Sequence, residues 1–186
     1  MVRPRAGSFC YSPTELDRCE QEARELLDAG ADGLVTGVLH EDHSIDEAAM
    51  ARLVALAGSR PVTFHRAFDE IPEPLDALVR LTALGVRRVL TSGGPGQAIQ
   101  GVDLLTQLVG QAGERLTVIA GGGVRADHAA QLVARTGISE LHLAAVMAGE
   151  PGGPWVPAPD QIRAVVAALG DSGPSVRREG IEPSTY

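Results

Sequence analysis

Residues 30–38 read GADGLVTGV, and the fold follows from how this stretch recurs along the chain. Gly30 suits the end of a helix, where a left-handed residue costs glycine little, and Leu34 to Val38 is a short aliphatic run suited to a strand. The same order appears four more times. Gly58 precedes Val62 to Phe64, Gly85 precedes Val89 to Leu90, Gly113 precedes Leu116 to Ala120, and Gly137 precedes Leu141 to Ala144. The spacing is 24–28 residues, about one strand plus one helix. Strands that alternate with helices at this period pair in parallel, because each helix carries the chain back to the edge where the next strand begins. Six strands are expected: Val2-Arg3, Gly33 to Val38, Pro61 to His65, Arg87 to Thr91, Arg115 to Ala120 and Ser139 to Leu143.

Helix starts are marked in the intervals. Ser12-Pro13-Thr14-Glu15 places a capping serine, a proline at the first helical position and a glutamate at the third, which is a capping box with φ already set. From there Leu16, Cys19, Ala23, Leu26 and Leu27 share an apolar face opposite Glu20, Glu22, Arg24 and Glu25. Asp46 and Pro74 open two further apolar-periodic segments, and Gln161 to Leu169 supplies a last helix after the glycine and proline stretch Pro151 to Pro159. Residues 1–170 therefore read as one β/α domain. The tail 171–186, charged and poor in apolar side chains, is expected to be disordered.

Composition narrows the partners. The formal charge is −8 and only 3% of the residues are aromatic, so the basic surface of a nucleic-acid binder is absent and the core is aliphatic. No apolar run approaches the length of a bilayer span, and Met1 to Arg5 is not followed by a signal core, so a cytoplasmic protein without membrane contact is expected. Two cysteines nine residues apart suggest neither a disulfide framework nor a zinc knuckle.

In parallel β/α sheets ligands lie at the carboxyl ends of the strands. Those positions carry Arg3, Arg5, His65, Arg66, Asp69, Thr91, Ser92, Gly121, Gly122 and His142. Arginines beside glycine loops suit a phosphate or carboxylate, since the guanidinium fork binds two oxygens and bare backbone lets amides approach. They suit equally a tight strand-to-helix turn held by ordinary salt bridges. His65 with Asp69 and Arg66 offers acid and base chemistry near neutral pH, or else a strand-end histidine tied to backbone with Asp69 capping the following turn. Cys10 is a candidate soft ligand for Cu(I), with His65 or His142 as second donor, or a packing residue; Cys19 belongs to the apolar helix face.

The segments RPRAGSFCYS, GADGLVTGVL, VTFHRAFD, RVLTSGG and AGGGV, in this order, resemble the copper homeostasis protein CutC family over residues 1–148. The resemblance implies an eight-stranded β/α barrel of TIM type in the cytoplasm, linked to copper tolerance and often oligomeric. Arg3, Arg5, His65, Arg66 and Asp69 match family motif positions. Two departures stand out. The family has two further βα units upstream, so a barrel of about six strands is expected here, and Leu143-Ala144-Ala145 replaces small hydroxylated residues after His142. Two functions follow: copper binding or tolerance with copper, Cu(I), as the bound metal, or acid/base catalysis on a small anionic substrate, phosphorylated or carboxylated, in a possible homo-oligomer.

Overall fold

The computed structural model describes residues 1–147 and 156–170. Five parallel strands form one sheet in chain order: β1 (Leu34–Thr36), β2 (Val62–Phe64), β3 (Arg88–Thr91), β4 (Thr117–Gly121) and β5 (Glu140–His142). Leu34 lies opposite Val62, Phe64 opposite Val89, Leu90 opposite Ile119 and Gly121 opposite His142. The helices are α1 (Pro13–Asp28), α2 (Glu47–Ala57), α3 (Pro74–Ala83), α4 (Val102–Ala112), α5 (Ala126–Thr136) and α6 (Pro159–Leu169). Three of them, α1, α2 and α3, begin where the sequence marks them, and α6 opens two residues before the expected Gln161. Ser12 and Glu15 make both halves of the capping box, Asp46 accepts the amide of Ala49, and Pro74 opens α3. All five repeat glycines have positive φ, from 54° to 95°, as the chain needs where it leaves a helix for the next strand.

One face of the sheet packs against the helices. Leu34, Val62, Phe64, Val89, Val118 and Ala120 are buried there among Met50, Leu53, Leu78, Leu81, Leu105, Leu108 and Leu132. The other face carries Val35, Thr63, Arg88, Leu90, Thr117 and Glu140, several of them only half-buried, with Arg88 ion-paired to Glu140. This is the architecture of a β/α barrel wall whose five strands do not close on themselves among the described residues.

Two expectations about strands change. Val2-Arg3 does not form a strand: the Val2 amide donates to the Val35 carbonyl at 2.8 Å, and pairing stops there because Pro4 has no amide hydrogen and the chain bends. Conversely, β6 (Val146–Met147) and β7 (Val156–Pro157) make a short antiparallel pair that the glycine and proline content of that region hid. The tail expected to be disordered lies outside the described residues. No helix among the described residues is long and apolar enough to cross a membrane.

Candidate functional site at the strand ends

The residues after β2 build the centre of the site. The chain turns from Phe64 through His65 into a short 3-10 helix, Arg66–Glu70, and this turn aims Asp69 back at the end of β3. Asp69 accepts four hydrogen bonds: from Arg66 Nε at 2.7 Å, Thr91 Oγ1 at 2.5 Å, the Ser92 amide at 3.0 Å and Ser92 Oγ at 3.0 Å. Its side chain is only 6% exposed, so a carboxylate is kept in the interior by a full set of donors. Arg66 is fixed in turn. Its Nη2 donates to Ser92 Oγ at 2.9 Å and toward the Gly96 carbonyl at 3.4 Å. The guanidinium lies against Gly122, where an added Cβ would come within 3.1 Å of Cζ and Nη1. Arg66, Asp69, Thr91, Ser92 and Gly122 thus meet at one corner, at the ends of β2, β3 and β4.

His65 lies apart from this corner. It is 5% exposed, and its Nδ1 accepts the amide of Ala67 at 3.2 Å. Its ring covers Gly37, where a Cβ would come within 2.6 Å of Nδ1 and Cε1. Burial, and then the charge of Arg3, push the imidazole down to about 4, so the ring is neutral at physiological pH. With Nδ1 accepting, the ring proton sits on Nε2, which is buried without a hydrogen-bond partner. His65 and Asp69 share no hydrogen bond among the described residues.

Arg3 packs its guanidinium over Phe9, 4.7 Å from the ring centre, and donates to the Gly7 carbonyl. Phe9 in turn contacts His65, ring centres 4.8 Å apart. Arg5 is turned outward. It pairs with Glu15 at 2.5 Å, donates to the carbonyls of Ser8 and Cys10, and lies over Tyr11 at 5.4 Å. It braces the loop instead of lining the strand ends. Gly121 and His142 are neighbours across β4 and β5, and His142 is exposed. His128 accepts the Arg125 amide at the start of α5.

Cys10 lines a cavity of about 330 Å³ together with Ser8, Phe9, Leu39, His40, His43 and two glutamates, Glu41 and Glu70. The histidines that line this cavity with it are His40 and His43; His65 and His142 are not among its walls. No group of three or more histidine, cysteine or acidic side chains among the described residues is spaced to hold a metal ion. Cys19 is fully buried in α1, which pushes its thiol up to about 11.

Sequence reading passed over Phe9 and Tyr11. A signal existed: Arg3 with Phe9 and Arg5 with Tyr11 both stand six residues apart, the offset of the two cation–π pairs that the loop makes.

Comparison with known proteins agrees with this layout. A CutC family protein of Treponema denticola is 42% identical over 146 residues, covering 78% of this chain and 59% of that protein. The mouse copper homeostasis protein cutC homolog is 42% identical over 152 residues, covering 82% and 56%. The chain thus spans well under two thirds of the length of these two curated relatives. A crystal structure of CutC from Streptococcus agalactiae is 32% identical with a TM-score of 0.73, over 76% of this chain and 70% of that one. A native KDPGal structure, 17% identical with a TM-score of 0.55, shares the fold alone. The model of the CutC family matches residues 1–147, the same residues that build the sheet and its strand-end corner, and the chain belongs to the CutC family.

Proposed function

We propose that the chain serves copper homeostasis in the cytoplasm, and does so by binding a small anionic molecule at the strand ends. The observation that carries this reading is the Arg66 guanidinium. Asp69, Ser92 and Gly96 hold it on Nε and Nη2, while Nη1 lies over the bare backbone of Gly122 with no hydrogen-bond partner among the described residues. A guanidinium immobilised in this way can bind an oxyanion with little further loss of side-chain freedom. On this reading Asp69, Thr91 and Ser92 are positioning groups, and Arg66 and the glycines Gly121 and Gly122 meet the ligand.

Titration with inorganic phosphate, followed by calorimetry, tests it. Binding that weakens at least about tenfold in Arg66→Lys supports the reading, because lysine keeps the charge and loses the fork. Binding equal in both proteins, or none in either, sinks it. Direct binding of Cu(I) is the second reading, favoured by Cys10 sharing its cavity with His40 and His43. Stoichiometric Cu(I) uptake under reducing conditions, lost in Cys10→Ser, supports it. Uptake indifferent to that change removes it.

A further inference from the structure

Three hydrogen-bond donors without acceptors stand together beyond β1 and β2. Arg3 Nε, Tyr11 Oη and His65 Nε2 are all buried and none makes a well-formed hydrogen bond among the described residues, although the Arg3 side chain approaches the Tyr11 hydroxyl as a donor. Arg3 and His65 both press on Phe9, at 4.7 and 4.8 Å from its ring centre, and Tyr11 follows two residues later. The Arg3 guanidinium reaches both of the other groups: its charge opposes protonation of His65, and its charge together with its donation toward the Tyr11 hydroxyl partly offsets the burial that pushes that hydroxyl up to about 12. Thr36 Oγ1 is also buried without a partner, but Thr36 lies opposite Phe64 on the helix side of the sheet and is not part of this group.

The chemistry of the three is one-sided. Arg3 donates from Nε; His65 donates from Nε2, because its Nδ1 is occupied by the Ala67 amide; and Tyr11 keeps its proton at physiological pH. Arg3 has no salt bridge with any described carboxylate; its hydrogen bond goes to the Gly7 carbonyl. Buried polar groups in folded proteins are rarely left unmatched, and what is missing here is acceptor oxygen with one negative charge.

We infer that Arg3, Tyr11 and His65 form a recognition pocket for the carboxylate of a small organic acid, with His65 serving as a neutral Nε2–H donor. The inference deepens the anionic-ligand reading above and rests on it, while using different residues. A carboxylate supplies two oxygens and a single charge, matching three donors and one guanidinium. A phosphate dianion would bring a second charge with no partner, and Glu41 and Glu70 on the neighbouring cavity wall disfavour it further. Phe9 both lines that cavity and packs on the His65 ring.

The test uses the full chain with acetate as probe and inorganic phosphate beside it, read by imidazole nitrogen chemical shifts and by calorimetry. His65 should show an Nε2–H signal that moves on adding acetate. Tyr11→Phe, which removes one oxygen and leaves the packing, should weaken acetate binding about five- to tenfold and leave phosphate binding unchanged. Acetate binding unaltered in Tyr11→Phe, or no movement of the His65 signal, overturns the inference. Phosphate binding lost in Arg66→Lys would leave the Arg66 reading standing in that case. If wild type binds neither probe, both readings fall.

Discussion

Protonating His65 would set a second positive charge beside Arg3 in a site with no described carboxylate to receive it. Its pKa of about 4 in the folded chain lies below the ordinary 6.5 of an unfolded histidine. Between those values the unfolded chain binds the proton and the folded chain does not. Stability from this residue is therefore complete above pH 6.5 and is lost as pH falls toward 4, by an amount on the order of 3 kcal/mol. Denaturant melts at pH 7 and pH 4.5 should show this loss, and His65→Gln should flatten the part that other carboxyl groups do not explain. Equal pH dependence in both proteins would mean that His65 titrates normally.

Asp69 and Gly37 make the same point about close fitting. Asp69→Asn keeps the shape but removes the charge and the acceptor capacity that four donors use, so a loss of about 2–4 kcal/mol is expected in urea unfolding. An Asp69→Asn protein as stable as wild type would show that the corner is not held by the carboxylate. Gly37→Ala drives a methyl into a buried imidazole whose position is fixed by Ala67. Overpacking of this kind costs about 1–3 kcal/mol, and circular dichroism melts would show it. These roles were only partly legible in the sequence. Strand-end position identified His65, Arg66, Asp69, Thr91 and Ser92 as polar groups in one region. Which of them touch depends on the direction of the turn at Arg66–Glu70, which spacing does not encode.

At the scale of elements, signals with a local cause were the readable ones. Capping residues and the repeat glycines mark helix ends because their effect is confined to one turn of chain. Strand lengths were less readable. The expected strands run up to six residues, while β1, β2 and β5 have three each, because pairing depends on the neighbouring strand and not on the aliphatic run itself. The α1 cap offers a test that separates its two halves. Ser12 Oγ accepts the Glu15 amide at a long 3.4 Å, while Glu15 accepts the Ser12 amide at 2.8 Å and also holds Arg5. Ser12→Ala should therefore cost no more than about 1 kcal/mol, and Glu15→Ala should lower the melting temperature further, because it also releases the loop that carries Arg3, Phe9 and Cys10. The reverse order would locate the stabilisation in the serine hydroxyl.

For the whole molecule, the sheet has two edges among the described residues, β1 and β5. The first is met by a single backbone bond from Val2. Exposed parallel edges pair with other chains when nothing blocks them. Sedimentation across a concentration series should show reversible self-association, and a charged residue at the exposed end of β5, His142→Glu, should shift it toward monomer. A monomer at every concentration would show that the edges are protected.

The strand order has one more consequence. Each strand pairs with the one made just before it, so no described strand of the sheet has to wait for a distant, later part of the chain. During synthesis, β2 with α2 behind it can dock on β1 as it leaves the ribosome, then β3 on β2, in a sequence of similar short steps. The arrangement that leaves β1 and β5 as edges among the described residues is the same one that lets the sheet grow strand by strand while translation is still under way.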